Sequence, residues 1–83
     1  MTPAVRLKIL SKLDAGDLPR TAPEKTVSRY GSGHVCSACD DVIYPSQVEY
    51  EFDYGDGFVC RMHLGCAALW EAECRRRGYR RHA

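Results

Sequence analysis

The sequence predicts a small α+β fold: a β-hairpin packed on a C-terminal helix, preceded by an amphipathic N-terminal helix and an irregular arm. Two periodicities and one spacing point to it. Val48, Tyr50, Phe52 and Tyr54 alternate with Glu49, Glu51 and Asp53, the period of two that gives a strand one apolar face. Cys66, Leu69, Trp70 and Cys74 fall at i, i+3, i+4 and i+8, which is one face of a helix. Cys36-x2-Cys39 and His63-x2-Cys66 stand 23 residues apart, on either side of the alternating stretch.

The N-terminal helix comes first. Thr2 is placed to cap it, Pro3 suits its first position, and Gly16 suits its stop after Ala15. Val5, Ile9 and Leu13 form one apolar stripe, with Arg6, Lys8 and Lys12 elsewhere; such a stripe is available to dock a partner. "DLPRTAPEKTVSRYGSGH" then carries Pro19, Pro23, Gly31 and Gly33, and reads as a linker or irregular arm with at most a short turn at "PEKTVS". Its Leu18, Val27 and Tyr30 are available for packing. The division expected is residues 1–33 as helix and arm, 34–78 as the central module, and 79–83 as a basic tail.

The hairpin "QVEYEFDYGDGFVCRMH" admits two registers. A two-residue turn at Asp56-Gly57 pairs Glu51 with Met62 and Phe52 with Arg61, mixing the faces. A three-residue loop of Gly55, Asp56 and Gly57 pairs Phe52 with Cys60, Tyr50 with Met62 and Glu51 with Arg61. The second keeps the apolar side chains on one face and sets an ion pair on the other. It also puts Gly57 at the left-handed bulge position, and is the register expected. "LGCAALWEAECRRRGY" follows as a helix ending near Gly78, its arginines in the last turn where cations suit the helix dipole.

Eighty-three residues bury little apolar surface, and chains of this size usually need a staple. Five cysteines, an odd number, suit a closed disulfide framework poorly. The start "MTPAVRLKILSKLDAGDLPR" lacks the continuous apolar run and small-residue cleavage site of a secretory signal. No stretch is apolar enough to span a membrane. A reducing, cytoplasmic setting is therefore expected, where close Cys/His spacing means metal or redox chemistry. A redox pair at Cys36-x2-Cys39 would need a βαβ context that the pattern lacks.

A tetrahedral zinc takes four N/S ligands, with sulfurs at about 2.3 Å. Two ligands at i and i+3 converge on one ion from a tight turn or a first helical turn, and a hairpin between two such pairs returns the chain to its start. Cys36, Cys39, His63 and Cys66 are thus the expected ligands, filling every position of a structural site. Cys60-x2-His63 is an alternative pair, but the chosen register turns Cys60 inward beside Phe52 as a small apolar residue. Cys74 lies about 12 Å along the helix from Cys66 and cannot share its ion. His34 reads as a solvated loop histidine, and His82 has no visible role.

Cys-x2-Cys, a gap of this length and His-x2-Cys resemble the first zinc-binding half of a LIM domain. More broadly, residues 31–77 are similar to treble-clef zinc fingers, in which a cysteine knuckle and a hairpin lead to a helix whose first turn gives the second ligand pair. No second half of the LIM pattern follows Cys66, and Asp40 stands where glycine often follows the second cysteine. "LDAGDLPR" with its glycine-rich approach also looks like short bacterial proteins of unassigned function. The treble-clef resemblance implies protein binding, nucleic-acid binding or, in the His-Asn-His endonucleases, nuclease chemistry. The last needs further histidines around the hairpin and helix, which are missing here, and no activated nucleophile or carboxylate pair is evident.

Charge separates the remaining classes. Residues 1–33 carry six Lys/Arg against three Asp/Glu, a balance of +3; residues 34–74 carry one arginine against eight acids, a balance of −7; residues 75–83 carry five arginines and no acid. The expectation is a non-enzymatic zinc-binding structural or protein-interaction module, with an acidic hairpin face (Glu49, Glu51, Asp53, Asp56) to meet a protein partner. No membrane or small-molecule substrate is expected. The alternative is nucleic-acid binding through "RRRGYRRH", with Arg75, Arg76, Arg77, Arg80 and Arg81 on phosphates and Tyr79 stacking on a base.

Overall fold

A computed structural model describes residues 3–79. The chain runs α1 (Pro3–Ala15), β1 (Lys25–Tyr30), β2 (Val48–Asp53), β3 (Val59–His63) and α2 (Leu64–Arg76). The strands form one antiparallel sheet in the order β1-β2-β3; α2 packs against β2 and β3, and α1 packs against α2, its buried residues joining the same core. This is the α+β class expected. Thr2, the expected cap of α1, lies outside the described residues.

The hairpin takes the three-residue register. Phe52 faces Cys60, Tyr50 faces Met62 and Glu51 faces Arg61. Gly57 has φ +94°, the left-handed geometry that glycine enters without a Cβ clash. Alternation then delivers Phe52, Cys60 and Met62 to a core with Trp70 and Ala67 of α2. Tyr50, Phe52 and Trp70 form a run of rings, at centroid separations of 6.0 and 5.1 Å.

Both helices end in the same way. Gly16 N–H donates to Leu13 O and Asp17 N–H to Lys12 O; Gly78 N–H donates to Arg75 O and Tyr79 N–H to Cys74 O. These are paired C-terminal bonds around a left-handed glycine, which satisfy carbonyls the helix leaves open.

The arm corrects the sequence reading. Residues 25–30, expected as irregular chain with a turn, are strand β1, paired along its length with β2 from Lys25–Asp53 to Tyr30–Val48. Proline and glycine dominated the local signal, while the decisive contribution is tertiary. Trp70 Nε1–H donates to Pro19 O (2.8 Å), Tyr54 OH donates to Thr21 O (2.8 Å), and Leu18 is buried in the core. These contacts hold residues 18–21 against the hairpin and helix, so β1 is delivered to the β2 edge. Gly31 closes the strand: a Cβ there would sit 2.3 Å from Tyr44 O, so only glycine permits this approach.

The N-terminal stripe is also spent internally. Ile9 and Leu13 are 1% and 0% exposed and belong to the same core as Phe52 and Trp70, with Val5 half-buried beside them. The face expected to be open to a partner is covered by the chain's own fold.

Candidate metal centre

Cys36 and Cys39 sit in a small turn of their own. Val35 bridges Val42, Gly33 N–H donates to Ile43 O, and Ile43 N–H donates to His34 O. At the tip, Asp40 N–H donates to Cys36 O and Cys36 N–H donates to Asp41 O. Asp40 takes φ 70°, the left-handed conformation that aspartate tolerates better than most residues. The knuckle is fastened to β3 by Ser37 N–H donating to Arg61 O at 2.7 Å. His63 ends β3 and occupies the N-cap position of α2, so strand runs directly into helix and Cys66 falls in the first helical turn.

The four expected ligands meet. One donor atom from each of Cys36, Cys39, His63 and Cys66 lies within 4.8 Å of all the others, and the three cysteines are buried. His63 Nδ1 is 3.4 Å from Cys39 Sγ and 3.9 Å from Cys66 Sγ. Its Nε2–H donates to Val42 O at 3.1 Å, which turns the Nδ1 lone pair toward the sulfurs. A four-coordinate ion with bonds of about 2.0–2.3 Å separates its ligand atoms by about 3.5–3.8 Å. The donor set therefore fits a metal ion, with every position supplied by protein.

The electrostatics of the sulfurs agree. Cys36 is lowered to about 4, first by a hydrogen bond from the Cys66 thiol and then by backbone contacts at Cys39, His63 and Ala38, against the opposing effect of burial. Cys66 is pushed up by that same hydrogen bond, by burial and by the charge on Cys36; Cys39 is raised mainly by burial. One thiolate forms readily and its neighbours resist. A cation among them removes that conflict and makes three thiolates compatible.

Cys60 stays out of the cluster, 1% exposed in the core, its thiol raised by burial; Cys74 is half-buried on α2. His34, exposed as expected, accepts or donates a 2.9 Å bond with Ser32 Oγ.

The acidic hairpin face differs from expectation. Glu49 is 0% exposed, with His34 Nδ1 and Arg61 Nε at 3.8 and 3.7 Å; neither of its oxygens has a hydrogen bond among the described residues. Glu51 is tied to Arg29 and Arg61. Asp53 and Asp56 accept backbone N–H groups of Gly55 and Phe58. The face is largely consumed by internal partners. A sequence without knowledge of β1 could not place Arg29 over Glu51.

The arginine run is likewise paired, though with other acids. Arg75 meets Glu71 at 2.9 Å, Arg76 meets Glu73 at 2.5 Å, and Arg77 meets Glu73 at 2.8 Å and Asp14 at 2.7 Å. Arg76 and Arg77 hold the Glu73 carboxyl down at about 2. Tyr79 lies against the guanidinium groups of Arg20 and Arg77, at 5.7 and 6.0 Å from its ring centroid. Glu73, buried beneath this network, is a residue the periodicity missed, because the i, i+3, i+4 count followed apolar residues only. Arg80, Arg81 and His82 lie outside the described residues.

Among family models, curated proteins and solved structures, nothing matches this chain. Among the described residues, no helix is long and apolar enough to cross a membrane.

Proposed function

We propose that the protein is a non-enzymatic zinc-stapled interaction module of the treble-clef kind. The observation that carries this reading is the closed Cys3His cluster on a knuckle, hairpin and helix start. Zinc is the ion that this donor set favours, because thiolates with one imidazole in a four-coordinate cage suit its borderline softness. Bound there, it would tie the knuckle to the β3–α2 junction and contribute its binding free energy to folding.

Support for a protein partner lies beside the site. Tyr30, Val35 and Tyr44, on the segments entering and leaving the knuckle, are 72%, 56% and 58% exposed. Exposed aromatic and branched side chains near a rigid metal site are the composition of an interface core. A cytoplasmic setting agrees with reduced cysteines.

The test is native mass spectrometry of the protein isolated from its own cells, with and without a chelator. The expected result is one zinc per chain and a protein partner lost on chelation and in a Tyr44→Ala variant that keeps its metal. A metal-free chain of unchanged fold would defeat the staple. Nucleic acid as the retained companion would favour the arginine-rich C-terminus instead.

A further inference from the structure

Away from the metal cluster, a cleft of ≈450 Å³ opens between the β1–β2 face and α2, closed on its third side by residues 20–23. Its volume falls within the roughly 300–1,000 Å³ of small-molecule sites. The sheet wall presents Tyr50, half-exposed and stacked on Phe52 with 11° between the rings. The helix wall opposite offers Ala67 and Ala68, whose short side chains let a flat group approach.

The charges in the cleft are asymmetric. Strand alternation turns Glu49, Glu51 and Asp53 to the other face of the sheet. Among the described residues Glu71 is the one acid lining the cleft, and Arg75 sits on it at 2.9 Å. Arg20 also lines it. The Arg20 guanidinium donates to Leu13 O at 2.9 Å and lies over the Tyr79 ring, with no carboxylate partner among the described residues. The lining therefore offers an aromatic wall and a cation that the described acids leave uncompensated.

We infer that this cleft binds a flat aromatic ring bearing one anionic group, the ring against Tyr50 and the anion toward Arg20. A phosphate and a carboxylate share the chemistry that an arginine recognises. Stacking on tyrosine discriminates little between aromatic rings. The site uses none of the four metal ligands and needs no protein partner.

The experiment is an NMR titration of the metal-loaded full chain with four probes: adenosine monophosphate, indole-3-acetate, and the neutral counterparts adenosine and indole. Saturating shifts at Thr26, Tyr50 and Ala68 are expected with at least one anion, and at least tenfold weaker binding of its neutral counterpart. The preferred anion tells phosphate from carboxylate. Arg20→Gln should weaken that anion about tenfold and leave the neutral probe unchanged. Ala68→Phe, which fills the cleft from its exposed helix wall, should abolish binding without loss of metal. Silence with all four probes overturns the site, and so does equal binding of charged and neutral forms. Because the wild-type titration is decisive, neither outcome depends on how the variants fold.

Discussion

Lys12 of α1 reaches across the molecule to Asp40 of the cysteine knuckle, with 2.5 Å between ammonium and carboxylate. The same ammonium donates to Ser37 O at 2.8 Å, and Lys8 donates to Cys39 O at 3.1 Å. Two lysines one helical turn apart thus hold the main chain of the Cys36–Cys39 turn from outside. The N-terminal helix is part of the metal site's support. Lys12→Met should cost about 1 kcal/mol, below the roughly 1.5–3 kcal/mol of a buried bond to a charged group because the Asp40 carboxylate is exposed. It should also weaken zinc severalfold while the chain stays folded. Competition with a chromophoric chelator measures the second effect and urea unfolding the first. An unchanged zinc affinity would show that the knuckle is held without α1.

The cysteines divide three to two. Serine at Cys36, Cys39 or Cys66, or alanine at His63, removes a donor from the cluster and should abolish tight metal binding. Cys60→Ser should keep the metal and lose about 1–3 kcal/mol, because a hydroxyl replaces a buried thiol. Cys74→Ser should keep the metal and lose less, since the side chain is half-buried. Metal content across the six variants decides the ligand set. Loss of zinc in Cys60→Ser with retention in Cys66→Ser would reassign it.

These results bear on what a sequence can disclose. The ligand set, hairpin register and helix ends were legible because spacing, period and glycine are local signals. The fate of residues 17–30 was not. Nothing within that stretch says that Trp70 and Tyr54 donate hydrogen bonds to Pro19 and Thr21 carbonyls, and without those bonds β1 has no reason to find β2. The same gap hid the charge pairing. Arg29 reaches Glu51 only because the strand exists, and Arg77 reaches Asp14 only because α1 and α2 pack together. Three of the four expected acidic-face residues were read correctly as sharing one side of the hairpin, yet their exposure depended on elements that local pattern could not place.

The same packing bears on the smallest folding unit. Ile9, Leu13 and Leu18 lie before the module expected at residues 34–78, and all three are buried in its core. Removing them deletes three large side chains, each worth about 1.5–3 kcal/mol of burial. A fragment of residues 34–79 should therefore bind zinc weakly and show poor amide dispersion even when loaded. The full chain should be well dispersed with zinc, and chelation should shift Trp70 emission toward that of a solvated indole. A well-dispersed fragment would support the boundary at residue 34.

Glu73 gives a pH signature. Arg76 and Arg77 lower its carboxyl from 4.5 to about 2. A depressed folded-state value contributes stability that is full above the unfolded value and is lost as pH falls through the folded one. The gap in unfolding midpoint between wild type and Glu73→Gln should be constant from pH 6 to 8. It should narrow from about pH 4.5 downward, as far as the fold persists. Thermal unfolding of both proteins across that range checks it, and comparing the pair cancels the shared effect of acid on the metal thiolates. A gap that is absent at pH 7 would mean the arginines find equal partners in solvent.

The last prediction concerns nucleic acid. Five free arginines on phosphates would give a slope of log affinity against log salt near −4 to −5 for duplex DNA, at about −0.9 per contact. Arg75, Arg76 and Arg77 are already on Glu71, Glu73 and Asp14. The exposed Arg75–Glu71 pair contributes little to stability and can open, whereas Arg76 and Arg77 close over the buried Glu73. However, the acids stay in place and repel any phosphate that takes their partners. If the contacts come from Arg80 and Arg81, which lie outside the described residues, there are about two and the slope should be no steeper than about −2. Affinity would then fall roughly tenfold between 50 and 200 mM salt, rather than several hundredfold. Fluorescence anisotropy with a short duplex and a short single strand, using the full chain and one ending at Tyr79, measures both quantities. Micromolar binding at 150 mM salt with a slope near −4.5, lost on truncation, would mean the acids yield their arginines and would move the function toward nucleic-acid binding.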